Sequence, residues 1–286
     1  MKRQLLSLTA AALASAALIA ACDTGSRFDA NSLAPIIGER NAGVLAAGGR
    51  AFNAASLSQK DEDAIGQSVA IAITNQYPLV RNDNLQRYVN LVGLTVASVS
   101  PAAGGNWIFG VIESPEINAF SGPNGYVFVT HGAILQMKDE AELAGVLGHE
   151  IAHVSNHDGL NQIKANEERG ALTQFMQAAD SRTAQLAVFA DNGLNVITKQ
   201  GYSQPQEFAA DQAGTRLISA AGYNPRSYLN FLQRIQSLNV SNSGKIMSTH
   251  PGIGERVARV SQQLQSLPPT GATLADRFTS NAISLH

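Results

Sequence analysis

The chain has 286 residues, of which 44% are hydrophobic and 15% charged, with a formal net charge of −2. That is enough for one substantial domain with a real core, and the near-neutral balance gives no electrostatic footing for nucleic acid or an acidic membrane surface. The only cysteine is Cys22, so no disulfide can form within the chain and stability must come from packing or a metal.

At the N-terminus, Lys2 and Arg3 precede the uncharged stretch LLSLTAAALASAALIAA, the layout of an export signal. Ile19-Ala20-Ala21-Cys22 resembles the lipobox of bacterial lipoproteins, whose cysteine is lipidated and becomes the mature N-terminus. Residues 1–21 are therefore expected to be a signal peptide, and residues 22–56, rich in Ala, Gly, Asn and Ser, a lipidated flexible tether. The other reading is an uncleaved anchor, since about 17–25 apolar residues can span a bilayer. Asp23 after the cysteine fits retention in the inner membrane under the enterobacterial sorting rule; other bacteria follow other rules.

Ser58 and Asp61 form a capping signature for a first helix carrying Ile65, Val69, Ile71 and Ile73. A second helix from Asp83 to about Ser98 has Leu85, Val89, Val92 and Val96 at helical spacing. Two short strands are predicted in NWIFGVI and GYVFVT, around the turn-rich SGPNG. Asp139, with Glu142 three residues on, opens the next helix, and a helical region covers about Leu160–Asn195 with Gly170 and Gly193 as candidate breaks. A further helix is capped at Ser203, with Pro205 in its first turn and Gly222 as its stop. Asn224-Pro225 starts another to about Leu238, and THPGIGERVARVSQQLQSL forms a last one. The expected fold class is α+β, mostly α-helical with a small β-sheet. One domain covers residues 57–267, with a loose tail over 268–286.

Residues 148–158 read GHEIAHVSNHD, which holds three of the six histidines. His149 and His153 are four apart, so on a helix they lie roughly 40° apart on one face, and two such imidazoles can reach one ion at about 2.0–2.1 Å. Glu150 beside them can serve as the base, which makes HExxH a metallopeptidase signature with a mechanism behind it. Two merely satisfied core histidines would leave Glu150 unexplained, because a buried unpaired carboxylate is strongly unfavourable. His157 reads as a helix-end histidine satisfied by carbonyls, and His131, at a strand–helix junction, as structural.

A catalytic zinc site needs a third protein ligand and an open position. Glu207 and Asp211, four apart in QEFAAD on an otherwise apolar helix, are the candidates. Glu207 can ligate, and Asp211 can accept from the outer nitrogen of a ligating histidine and orient its ring. By themselves, without the HExxH upstream, two such acids read as a solvated face.

HEIAH, then QEFAAD, then THP resembles the gluzincin zinc metallopeptidase family of HtpX, the CAAX prenyl endopeptidases and BepA. The likeness extends through INAFSGPNGYVFVTHG, DEAELAGVLGHEIAHVSNH and AAGYNPRSYLNFL, covering about Ser58–Gln265. It implies a zincin-like domain with one Zn2+ held by His149, His153 and Glu207, Glu150 as general base and proton donor, and Asp211 behind the ligands. It further implies a loop over the metal in which His250 can occupy the open position and Arg256 supports the transition state; read alone, His250 before a proline is a turn residue. Asn118-Ala119-Phe120 resembles the edge-strand segment that pairs with substrate backbone, or else is a plain strand end. Where the family often has an arginine before the ligand glutamate, this chain has Gln204-Pro205-Gln206.

The function so implied is a zinc-dependent endopeptidase clearing unfolded or misassembled cell-envelope proteins. It would be lipid-anchored in the bacterial envelope and face the periplasm, in a minimal form without the family's membrane-spanning pairs or helical-repeat extension. The alternatives are a chaperone-like assembly factor that binds client strands over a latent zinc, and a structural zinc domain, which Glu150 argues against.

Overall fold

The computed structural model describes residues 59–168, 190–241 and 249–282. The expected signal peptide, Cys22, Asp23, the tether, the Ser58 cap and Gly170 lie outside the described residues. Helix α1 (Gln59–Gln76) buries Ile65, Val69 and Ile73 at helical spacing. Helix α2 (Asp83–Ala97) starts at Asn82, whose side chain accepts from the Leu85 N–H, and buries Leu85, Val89, Val92 and Val96.

Three strands follow: β1 (Ile108–Ile112), β2 (Ala119–Gly122) and β3 (Tyr126–Thr130), in the spatial order β1-β3-β2. Strand β1 runs parallel to β3 with Ile108 opposite Tyr126, and β2 antiparallel to it with Ala119 opposite Val129. Part of the expected turn is thus strand: Ser121 and Gly122 belong to β2, and the reversal falls on the 3-10 turn Pro123–Gly125, where Asn124 and Gly125 take positive φ. Alternation divides the sheet between two cores. Phe109, Val111, Val127 and Val129 face one, and Ile112, Phe120 and Phe128 the other.

The outer edge of β1 is closed by side chains of α2. Gln86 donates to the Val80 and Val111 carbonyls (2.9 and 2.8 Å) and accepts from the Val111 N–H (2.8 Å), while Asn90 accepts from the Phe109 N–H (3.1 Å). Strand β2 is the other edge, and it faces the metal centre described below.

Short α3 (His131–Gln136) leads to α4 (Glu140–Ser155), which is buried from Glu140 to His153. Asp139 caps α4 by accepting from the Glu142 N–H, and Arg234 holds Glu142 with two hydrogen bonds of 2.7 and 2.8 Å. Helix α5 (Asp158–Glu168), a π-helical turn (Val196–Gln200), α6 (Gln204–Ala220), α7 (Pro225–Ser241) and α8 (Ile253–Gln263) complete the layer around α4. Gly193 is no break: it lies within helical residues 190–195, against Val69.

Helices α4 and α6 touch backbone to backbone. A Cβ on Gly214 would stand 2.8 Å from the His149 nitrogen and 2.9 Å from the Gly148 carbonyl carbon. Among the described residues no helix is long and apolar enough to cross a membrane.

Two expectations at the C-terminus are corrected. THPG is not helical but forms the loop before α8, with Gly252 at φ 80°. The supposedly loose tail contains α9 (Ala275–Ala282), whose Phe278 and Ala282 are buried in the main core. Its Arg277 pairs with Glu140, a fully buried carboxylate that also accepts from Tyr88 (2.9 Å) and Tyr223 (2.7 Å). The polar look of ADRFTSNA hid one i, i+4 apolar pair, which suffices to dock a short helix.

Candidate metal centre

Helix α4 brings His149 and His153 onto one face and α6 brings Glu207 opposite them, each 1% exposed or less. His149 Nε2 lies 3.1 Å from His153 Nε2 and 3.5 Å from Glu207 Oε2, and His153 Nε2 lies 3.3 Å from Glu207 Oε1. His250, 3% exposed, adds Nδ1 at 3.3 Å from His149 Nε2 and 3.0 Å from Glu207 Oε1. All four donor atoms lie within 4.8 Å of one another.

Nitrogen and oxygen ligands at 2.0–2.1 Å from a tetrahedral ion are separated by about 3.3–3.4 Å. The separations of 3.0–3.5 Å fit that geometry, and the donor set, three imidazoles and a carboxylate, suits zinc. Glu150 is 1% exposed and neither of its side-chain oxygens has a hydrogen-bond partner. Its Oε1 lies 3.5 Å from His250 Nε2, so a bare carboxylate stands at the rim of the cluster. The residues present therefore fit a bound metal.

The outer nitrogens of both α4 histidines are held by carboxylates. His149 Nδ1 lies 2.9 Å from Asp211 Oδ1, and His153 Nδ1 lies 2.8 Å from Asp158 Oδ2. Each contact turns the ring so that Nε2 points at the shared position. Asp158 is in turn held by Gln206 Nε2 at 3.1 Å, and Gln206 also closes the cap of α6 by accepting from the Ser203 N–H at 3.0 Å. Part of the segment that departs from the family pattern thus has a place in this centre. The Tyr202 ring stacks on His153 with centroids 4.0 Å apart.

Arg256 is not over the metal position, as the resemblance implied, but behind the ligands. It is fully buried and donates from Nε and Nη2 to Asp211 (both 2.8 Å) and from Nη2 to the Tyr228 hydroxyl (3.0 Å). Its Nη1 lies 2.8 Å from Glu207 Oε2, although without the alignment of a hydrogen bond.

These contacts set the electrostatics. Burial raises the Glu207 pKa, but the charges of His250 and Arg256 and hydrogen bonds from His149 and His153 outweigh it and hold the carboxyl well below its ordinary range. Burial likewise opposes ionisation of Asp211, and Arg256 with His149 overcomes it. For His149, burial and the Arg256 charge disfavour the imidazolium; hydrogen bonds to Asp211 and Glu207 prevail and lift the metal-free pKa to about 9.

The segment Thr249–His250 lies across the start of β2. Asn118 exchanges hydrogen bonds with the Thr249 hydroxyl at 3.2 Å and accepts from the Ala119 N–H at 3.0 Å, and the Ala119 carbonyl is 3.4 Å from His250 Nε2. On the other side Tyr202 N–H donates to the Thr249 carbonyl (3.1 Å). Gly201 (φ 67°) fits there because a Cβ would lie 2.2 Å from that oxygen. The sequence-predicted residues His149, Glu150, His153, Glu207, Asp211, His250, Asn118 and Ala119 are thus together. His157 is exposed at the turn after α4, and His131 accepts from the Ser114 N–H at 3.1 Å, apart from the centre. Sequence reasoning missed Asp158, Gln206, Tyr202 and Tyr228.

A small sheet whose edge strand borders a buried HExxH helix, with a carboxylate delivered from a second helix, is the arrangement of a metallopeptidase domain. The chain matches the model of Peptidase family M48 over residues 81–264 and belongs to that family. It is 28% identical over 236 residues to the beta-barrel assembly-enhancing protease of Escherichia coli K12, covering 78% of this chain and 48% of that protein. To metalloprotease YcaL of the same organism it is 24% identical over 262 residues, 88% of this chain and 94% of the relative. To the mitochondrial metalloendopeptidase OMA1 of Schizosaccharomyces pombe it is 29% identical over 180 residues, 62% and 52%. The chain thus spans about half the length of the beta-barrel assembly-enhancing protease it matches.

Proposed function

We propose that the protein is a zinc-dependent endopeptidase acting on unfolded or misassembled cell-envelope proteins. The observation that carries this is the tetrahedral spacing of His149, His153, Glu207 and His250 beside the two unpartnered oxygens of Glu150. His149, His153 and Glu207 would hold the zinc. When bound, zinc supplies a Lewis acid that polarises the scissile carbonyl and lowers the pKa of water toward ~7. Glu150 takes the proton from the attacking water on a carboxylate oxygen and returns it to the departing amine. A client backbone would add to the outer edge of β2 beside Asn118 and Ala119, taking the place of the Thr249–His250 segment; such pairing binds extended chain with little sequence demand. His250 must leave the fourth corner for a substrate carbonyl to enter, and once displaced can donate to the developing oxyanion. Asp211, Asp158 and Arg256 are positioning residues in this scheme.

The place of His250 also favours a second reading, an assembly factor that binds client strands while its zinc stays latent. Lipid on Cys22 would tether either form to the bacterial envelope, facing the periplasm, with Asp23 pointing to the inner membrane.

The deciding experiment takes protein lacking residues 1–22, measures zinc by elemental analysis and follows unfolded casein with and without Glu150→Gln. Stoichiometric zinc with Glu150-dependent cleavage supports the peptidase. Zinc without cleavage even in His250→Ala moves the case to the binding factor, and absence of zinc sinks both. Cys22→Ser in the full chain should abolish fatty-acid labelling and release the protein from membranes.

A further inference from the structure

The Thr249–His250 segment is held on two sides, and only one of them is the sheet. Toward the sheet, the Thr249 hydroxyl exchanges hydrogen bonds with the Asn118 side chain (3.2 Å), and His250 Nε2 lies 3.4 Å from the Ala119 carbonyl. Away from the sheet, the Thr249 carbonyl accepts from the Tyr202 N–H at 3.1 Å. Contact there is main chain against main chain: a Cβ on Gly201 would stand 2.6 Å from the Thr249 Cα as well as 2.2 Å from its oxygen. The segment therefore lies in a slot between the outer edge of β2 and residues 201–202.

The far wall of that slot is fixed by contacts that do not involve its occupant. The Gly201 carbonyl accepts from Gln162 Nε2 on α5 (2.8 Å), and the Gly201 N–H donates to the Val196 carbonyl (3.0 Å). The Tyr202 ring is stacked on His153, and Ser203 caps α6 directly after it. The Tyr202 N–H thus keeps its direction when the Thr249–His250 segment gives way. A client laid in the slot must then bring a carbonyl to that N–H or cover an unpaired donor, which is strongly disfavoured.

We propose that the Tyr202 N–H is a second substrate-binding rail, so that a client chain is gripped along both backbone edges, by β2 on one side and by residue 202 on the other. This rests on the endopeptidase reading and adds to it the class of client accepted. Along an extended chain the N–H and C=O groups of successive residues point to opposite edges. Addition to β2 alone would use one edge and leave the other free for a neighbouring strand. Two rails use both. A strand paired within a sheet has at most one free edge, so the slot admits chain not yet built into a sheet and refuses the rim of a folded one. Selection is by the state of the backbone, whatever the side chains.

The test measures peptide binding to zinc-loaded full-length Glu150→Gln, with and without His250→Ala so that a closed slot cannot mask it, and cleavage by the wild type. N-methylation of one peptide residue at a time identifies the residue whose N–H pairs with the β2 edge. Conversion of one carbonyl at a time to a thioamide, whose sulfur is a larger and poorer acceptor, then finds the partner of Tyr202. Binding should weaken about tenfold at a carbonyl an odd number of positions from the N-methyl-sensitive residue, because that carbonyl faces the other edge. Gln162→Ala, which frees the Gly201 carbonyl, should shrink this loss toward one with bound zinc unchanged. The same sequence closed by a disulfide into a β-hairpin should lose both binding and cleavage, and its reduced, alkylated form should keep both.

Two-edged binding without cleavage by the wild type would end the endopeptidase reading and keep the second rail. Cleavage of hairpin and linear peptide alike would keep the endopeptidase and end the rail. Thioamide losses confined to the residues that pair with β2, a tenfold loss unchanged in Gln162→Ala, or no binding of either peptide form in either background also overturns it.

Discussion

Asp158 is five residues beyond His153 in sequence, yet its carboxylate meets the outer nitrogen of that ring at 2.8 Å. The i, i+4 pairs His149/His153 and Glu207/Asp211 were legible because helical geometry alone places them together. Asp158 was not, because the link is made by a turn: His157 takes φ 56°, ends α4 and swings the chain back beneath its last histidine. That turn is the role of His157. The place of Arg256 was not legible for a similar reason, since spacing fixes which helix carries a side chain but not which side of the cluster it reaches. Two predictions belong to single residues. Asp158→Asn should weaken zinc binding about 10–100-fold with the helical circular dichroism unchanged, as measured by competition with a chromophoric chelator. His149 in the metal-free protein is protonated below about pH 9, and zinc needs it neutral. Apparent zinc affinity should therefore rise about tenfold per pH unit from pH 7 to 8 on account of this group and level off above 9, with proton release visible by calorimetry in buffers of differing ionisation enthalpy.

The helices themselves were mostly legible, since α2, α4, α6 and α7 carry caps and apolar stripes and α1 an apolar stripe. Strand β2 was harder because four residues are too few for a period-2 signal, and it is made a strand by pairing with β3. Helix α9 went unread because its affinity for the domain lies in partners more than a hundred residues away, Glu140 above all. Removing residues 268–286 should therefore destabilise the domain by about 3–5 kcal/mol in urea titrations, through loss of Phe278 burial and of Glu140's partner. Arg277→Ala alone should lose only about 1 kcal/mol, as the arginine side chain is 54% exposed and its pairing is screened. At the crossing of α4 and α6, Gly214→Ala forces a methyl against backbone atoms that cannot rotate away. It should lower stability by about 1–3 kcal/mol and reduce bound zinc in the same preparation.

On the scale of the molecule, the interior around the centre gathers Glu150, Glu207, Asp211 and Asp158 but, among the described residues, one permanent cation, Arg256, all 7% exposed or less. Burying like charges together is unfavourable unless something neutralises them, so a divalent ion held there would be a counter-charge for the fold as well as a reagent. Chelation at neutral pH should accordingly lower the unfolding temperature, and restoring free zinc to a thousandfold over its Kd should recover about 4 kcal/mol. The overall class, one helical domain with a small sheet, could be read from hydrophobic periodicity; the distribution of charge within it could not, because burial is a property of the packed whole. Gly148 and Gly214 have a consequence at this scale too. Where two main chains rest directly on each other, the gap between the ligand-bearing helices is fixed by atoms common to every amino acid. Drift among the surrounding large side chains can then proceed with little effect on the reach from His149 to Glu207. Such insulation would let the interior change around the centre while the spacing of its ligand-bearing helices is kept.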